Sequence, residues 1–418
     1  MNSPEKLHSH FFDLFENISV FGSTPAGGLT RLAASQEDGE ARDCLCCWLK
    51  DNGFELRIDR VGNIFGLKEW HEGKPWVLVG SHLDSQPKGG RLDGTYGVIA
   101  GAIAAAEVSR RIEAEGQVPE YNLAVVDWTN EEGARFQPSL IGSGCFVGKL
   151  DKQEMLAVTD DQGISLQSAL EAIGYLGEDT FDEEIAAYAE IHIEQGRILE
   201  ENKIPIGVVS RNWAALKAQV TFHGNQAHTG PTRMPERRDA LYASAELIRF
   251  VRQLAEGRED NLHTSVGRLE VEPNSPNVVP ALTKAYVELR SLDEGLLGEL
   301  NKQLNQKVEE ISLMTGCKSD IVNSVLRPVF HFNETGVQFA KQASKAAGYD
   351  CMEIDTVAGH DAVSLASVCN SILLFVPSND GISHNEGEKT RPEDLAAGVD
   401  VMAELLHGLC IGNKTNER

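Results

Sequence analysis

Positive charge is scarce in this sequence: 38 lysines and arginines stand against 63 aspartates and glutamates over 418 residues, a formal net charge of −25. A field of that sign repels polyphosphate, which argues against nucleic-acid partners and anionic membrane surfaces. Long apolar runs are also missing. The stretches at 98–107 and 372–376 fall far short of the roughly 18–20 residues a membrane-crossing helix needs. Met1-Asn2-Ser3-Pro4-Glu5-Lys6 leads into His8, His10, Asp13 and Glu16 instead of an apolar segment with a cleavage site. No secretory signal is read, and a cytoplasmic protein is expected. The eight cysteines lack the two paired spacings of a thiolate metal site and are expected to be buried free thiols. Repeats and low-complexity tracts are absent as well, which leaves small molecules or other proteins as partners.

At 418 residues the chain exceeds the roughly 250–300 over which one core keeps growing, so two domains are expected. In the first half, apolar runs alternate with helical patterns. The spans 76–80, 123–128 and 189–193 read as buried strands, and the Ala-rich span 96–112 reads as a helix. Such alternation indicates a mostly parallel sheet. Beyond 207–209 the texture changes. Residues 215–222 and 284–292 alternate like half-exposed strands, and 238–254 reads as a helix. A helix near 336–347 and a buried run at 371–377 return to the earlier style. The expected architecture is α/β: a large mixed, mostly parallel sheet domain with helices on both faces, built from 1–210 and 328–418. It is interrupted by a smaller α+β domain at 211–327.

Ligands of open α/β sheets gather at the carboxyl ends of strands. The residues after each apolar run here are Gly80-Ser81-His82-Leu83-Asp84-Ser85, Gly90-Arg91-Leu92-Asp93-Gly94, Asn130-Glu131-Glu132-Gly133, His192-Ile193-Glu194-Gln195-Gly196 and Gly381-Ile382-Ser383-His384-Asn385. Any one of these is ordinarily a solvated surface feature. Five in a chain with only 12 histidines point to a pair of divalent ions held by imidazole and carboxylate, with one carboxylate shared. A two-metal site also needs a base that is not a ligand. Glu131 and Glu132 can supply base and ligand from one turn, and the Asp84 side chain could accept the second ring N–H of His82 and fix its tautomer. His8, His10, His71, His223, His263, His331 and His407 read as surface or packing residues.

Taken in order, these motifs, with Arg237-Arg238-Asp239-Ala240, Asn277-Val278-Val279-Pro280 and Gly359-His360-Asp361-Ala362, resemble the M20 metallopeptidase superfamily. Within it they resemble the hydantoinase/carbamoylase amidases: N-carbamoyl-L-amino-acid amidohydrolases, β-ureidopropionases and allantoate amidohydrolases. The resemblance implies that His82, Asp93, Glu132, His192 and His384 are metal ligands, with Asp93 bridging. It implies Glu131 as general base, Asp84 as its supporting carboxylate and His228 as oxyanion stabiliser. Gln195, Asn277 and Arg290 would hold the substrate's carboxylate and ureido group. The insert would be a lid and the interface of a homodimer. The ions would be two per subunit, zinc first, with manganese, cobalt or nickel open. The expected reaction cleaves an N-carbamoyl-L-amino acid to amino acid, carbon dioxide and ammonia. Other ureido substrates, an M20-type di- or aminopeptidase and a non-catalytic binder are the alternatives. Thr232-Arg233-Met234-Pro235 and Ser210-Arg211-Asn212-Trp213 depart from the family pattern and put substrate identity in doubt.

Overall fold

Continuous apolar runs make the central strands, because a strand covered on both faces has no solvent side on which to place polar residues. In the computed structural model, which describes residues 4–412, the strands in chain order begin with β1 (Glu55–Ile58), β2 (Ile64–Lys68), β3 (Trp76–Ser81), β4 (Asn122–Asp127), β5 (Ile185–Ile193) and β6 (Ile206–Asn212). Next come β7 (Ala214–His223), β8 (Ala227–His228), β9 (His263–Glu272), β10 (Val278–Val279), β11 (Leu282–Ser291), β12 (Lys318–Arg327) and β13 (Phe330–His331). β14 (Cys351–Thr356) and β15 (Asn370–Val376) complete them. The chain divides into two units, one holding the residues up to Ser210 and from Phe332 onward, the other Arg211–His331.

In the first unit the sheet order is β1-β2-β4-β3-β5-β15-β6, with β14 also beside β6. The centre, β4-β3-β5-β15, is parallel. β1, β2 and β6 join it antiparallel, so the sheet is mixed with a parallel heart. From β3 the chain pairs with β4 on one side and β5 on the other, which opens a crevice beyond their carboxyl ends. The helix after β3 is Thr95–Glu115, buried along most of its length. Gly80 is required where it stands, since a Cβ there would lie 1.8 Å from the Val126 carbonyl oxygen of the neighbouring strand.

The second unit is an antiparallel sheet in the order β12-β7-β11-β9, with β8 and β10 forming a separate ribbon. Alternate residues of β11 are buried, and they meet the helices Ala240–Gln253 and Glu294–Thr315 in a core that includes Leu216, Val220, Phe222, Leu247, Val287, Leu300 and Leu304. The helix expected from Arg238 begins at Ala240 because the Asp239 side chain accepts from the amides of Leu241 and Tyr242, ending the strained first turn with a cap. The unit runs to His331, beyond the expected 327, because β13 pairs back onto Arg211 and Asn212.

The cysteine expectation needs correction. Cys46, Cys145, Cys317 and Cys410 are buried, but Cys44, Cys351 and Cys369 are partly exposed and Cys47 is exposed, on the outer face of helix Gln36–Asp51. Among the described residues no helix is long and apolar enough to cross a membrane. Gly80→Ala should destabilise the chain by about 3 kcal/mol or more, because the clash is with backbone that cannot rotate away. Urea denaturation followed by far-UV circular dichroism measures it.

Candidate dinuclear metal centre and active site

Each strand of the parallel heart ends in a donor. His82 follows β3, Glu131 and Glu132 follow β4, His192 is the penultimate residue of β5, and His384 lies past β15. Asp93 sits on the Gly-flanked loop before helix Thr95–Glu115. The side chains converge as two donor groups, His82–Asp93–His192 and Asp93–Glu132–His384, each with its ligand atoms within 4.8 Å of one another. Asp93 belongs to both. Its Oδ1 lies 3.0 Å from His192 Nε2 and 3.7 Å from His82 Nε2, and its Oδ2 lies 3.3 Å from His384 Nε2. His384 Nε2 is also 3.4 Å from Glu132 Oε2.

The tautomers follow from the partners. His82 Nδ1 is 2.9 Å from the Asp84 carbonyl and His192 Nδ1 is 3.0 Å from the Ile193 carbonyl. A carbonyl can only accept, so both Nδ1 atoms carry the proton and both Nε2 atoms turn towards Asp93. A neutral Nε2 and a carboxylate oxygen are both acceptors, so a cation or an extra proton has to lie between them. Burial holds His82 down at about 4, which leaves it neutral. Burial works against charge on His192, but Asp93 raises it to about 9.

Asp84 meets His82 Nδ1 through its backbone carbonyl at 2.9 Å, with its carboxylate Oδ1 at 3.6 Å. The carboxylate is committed to the amides of Glu131 (3.1 Å) and Glu132 (3.3 Å), and so fixes the loop that carries both glutamates. Burial, then the Glu132 charge, pushes the Asp84 carboxyl well above the usual range. Burial and Asp93 raise Glu132 to about 7. Glu131, pushed up by burial and by Asp361, lies 3.6 Å from His82 Nε2. Its carboxylate accepts no hydrogen bond among the described residues.

Several residues the sequence reading passed over complete the site. Buried Glu388 accepts from the amides of Leu92 (2.9 Å) and Asp93 (3.2 Å) and from Ser383 Oγ (3.1 Å), tying the Asp93 loop to the His384 loop. Ser383 Oγ also donates to Asp93 Oδ2 at 3.1 Å, and Gln86 Nε2 donates to Glu132 Oε2 at 2.9 Å. Glu190, fully buried two residues before His192, takes Ser81 Oγ at 2.8 Å and the amide of Ala362 at 2.8 Å. That amide opens the short helix Asp361–Leu365, so Gly359-His360-Asp361-Ala362 here serves Glu190.

Gln195, expected against substrate, turns its Nε2 to Asp93 Oδ2 at 2.8 Å and Ser383 Oγ at 3.2 Å, while its Oε1 is buried with no partner. His228, Asn277 and Arg290 belong to the second unit. His228 and Asn277 share the β8–β10 ribbon, where His228 Nδ1 accepts from the Gly230 amide and the Asn277 carbonyl accepts from Thr229. Arg290 lies on β11, its Nη2 2.8 Å from Glu288. Arg233, one of the departures from the family pattern, is exposed and 3.5 Å from Glu236.

Residues 78–408, which contain every donor above, match the family described as Peptidase family M20/M25/M40. The chain belongs to this family. A Mycolicibacterium smegmatis relative named only as a hydrolase is 45% identical over 408 residues, covering 96% of this chain and 93% of that one. The N-carbamoyl-L-amino acid amidohydrolase of Geobacillus stearothermophilus is 34% identical over 416 residues, covering 98% and 99%. An amidase of the hydantoinase/carbamoylase family from Burkholderia vietnamiensis superposes with a TM-score of 0.91 at 35% identity, covering 97% of each chain. Other relatives are named allantoate amidohydrolases. Within this family, the chain is one of the hydantoinase/carbamoylase amidases.

The close packing gives a direct test. A Cβ on Gly94, which holds φ +64°, would come within 2.3–2.4 Å of the His82 ring atoms. Gly94→Ala should therefore displace His82 and lower divalent-ion affinity about tenfold or more, read by competition with a fluorescent chelator, while far-UV circular dichroism stays unchanged.

Proposed function

We propose that this amidohydrolase cleaves the ureido C–N bond of an N-carbamoyl-L-amino acid, releasing the amino acid, carbon dioxide and ammonia. The observation that carries the reading is the pair of donor groups joined by Asp93, with the Glu131 carboxylate beside them and uncommitted. His82, His192 and Asp93 would hold one ion, and Glu132, His384 and the shared Asp93 the other. The donor set fits: imidazole nitrogens face carboxylates, and buried carboxylates repel one another in the absence of a cation. Zinc suits it first, and manganese, cobalt or nickel fit the same donors. When bound, such ions supply Lewis-acid polarisation of a carbonyl and a lowered pKa for water.

The chain's own groups do the rest. Glu131 takes the proton from the attacking water and returns it to the leaving nitrogen. Asp84 keeps Glu131 and Glu132 pointing in different directions through their amides. His228 donates to the developing oxyanion. Arg290 forks onto the substrate carboxylate, Asn277 assists, and Gln195 offers its unpartnered Oε1 to the ureido nitrogen. The second unit serves as lid and as the interface of a cytoplasmic homodimer, and its closure excludes water. Relatives named allantoate amidohydrolases favour allantoate as the second substrate to try, and β-ureido acids follow.

Ammonia release from N-carbamoyl-L-amino acids, N-carbamoyl-β-alanine, allantoate and dipeptides tests the proposal. One ureido compound should yield ammonia, only with divalent ions present, and Glu131→Gln should lower kcat by about 10²–10⁴. Cleavage of dipeptides without ammonia would overturn it in favour of a peptidase.

A further inference from the structure

The sheet of the second unit buries one face against its two helices and leaves the other open. On that open face Arg290 of β11 and Arg327 of β12 both pair with Ala215 of β7, one from each side. Residues directly opposite in antiparallel ladders share a face. The two arginines therefore stand about 10 Å apart at Cα, two strand spacings, over a residue too small to separate their side chains. The next row sets Glu288 of β11 against Lys217 of β7, and the Glu288 carboxylate serves Arg290 at 2.8 Å and Lys217 at 3.5 Å. Within this patch three cations face one carboxylate.

Arg327 is the residue left over. Its Nε is buried and has no hydrogen-bond partner among the described residues. Burial and the adjacent Arg290 charge both hold its guanidinium below the ordinary value, a penalty that an anion laid alongside would relieve. Buried donors without acceptors are rare enough to need a reason.

We propose that Arg327 forms an anion subsite beside Arg290 that selects substrates carrying a second carboxylate: N-carbamoyl derivatives of amino-dicarboxylic acids. The inference rests on Arg290 holding the substrate's first carboxylate. Each guanidinium forks onto one carboxylate, and a monoacid leaves the Arg327 fork unfilled.

The test compares kcat/KM of the metal-loaded chain for N-carbamoyl-L-aspartate and N-carbamoyl-L-glutamate with their asparagine and glutamine isosteres. The acids should be preferred about tenfold or more through KM, since a site built for a polar group rejects its neutral analogue. Arg327→Gln should collapse that ratio to about one, and Arg327→Lys should restore part of it. Equal use of acid and amide by the wild type, or an equal loss on both substrates in Arg327→Gln, overturns the proposal. If no ureido compound yields ammonia, calorimetry with succinate and butyrate decides separately. Tighter succinate binding that Arg327→Gln abolishes keeps the subsite while the reaction assignment fails, and indifference between the two acids refutes it. Should Arg327→Gln not fold, Arg327→Lys, which keeps the charge but not the fork, must by itself lower the acid preference in the same assays.

Discussion

Sharing the Asp93 carboxylate between two donor groups is the constraint on which the rest of the first unit turns. Asp84, Asp93, Glu131, Glu132 and Glu388 all point into one crevice, and burial makes their mutual repulsion costly. Hydrogen bonds fix all of them but Glu131: backbone amides hold Asp84 and Glu388, Gln195 and Ser383 hold Asp93 Oδ2, and Gln86 holds Glu132. The histidines are equally fixed, each through a carbonyl on Nδ1 for His82 and His192. An arrangement so organised around negative charge is built to receive positive charge, and the sheet topology delivers it to the one crevice where strand order reverses.

The local backbone meets this demand at some cost. Asn130, Gln195 and His384 all adopt left-handed conformations, with φ of 55°, 60° and 52°. Each lies within three residues of a donor or is one. Such conformations cost on the order of 1 kcal/mol for a residue other than glycine and persist where surrounding contacts dictate them. Glycine carries the tighter approaches, as at Gly94 against the His82 ring and at Gly90, where a Cβ would meet the Glu388 carboxylate. The metal ligands therefore sit on turns shaped by the site, not by local propensity.

Much of this was legible before any coordinates. Apolar runs ending in Gly marked the central strands because strands buried on both faces carry no polar alternation, and the donors stood at their ends. The edge strand β1 and its neighbour β2, and the edge strands β9 and β12 of the second sheet, are not legible because they are short or half-exposed and show neither pattern cleanly. Residues that act through backbone amides left no trace either. Glu388 and Glu190 are single carboxylates whose partners lie 295 and 172 positions away, and nothing in a linear sequence announces such pairings. Spacing of two from His82 brought Asp84 to the ring, but could not show that its carbonyl would lie nearer than its carboxylate.

The central claim is that one carboxylate serves two ions, and metal content measures it most directly. After chelation and reloading, inductively coupled plasma mass spectrometry of the purified chain should give about two zinc ions per subunit, about one in His384→Ala and in His82→Ala, and close to none in Asp93→Ala. Retention of one full ion by Asp93→Ala, with circular dichroism unchanged, would contradict the shared ligand and with it the account of the site.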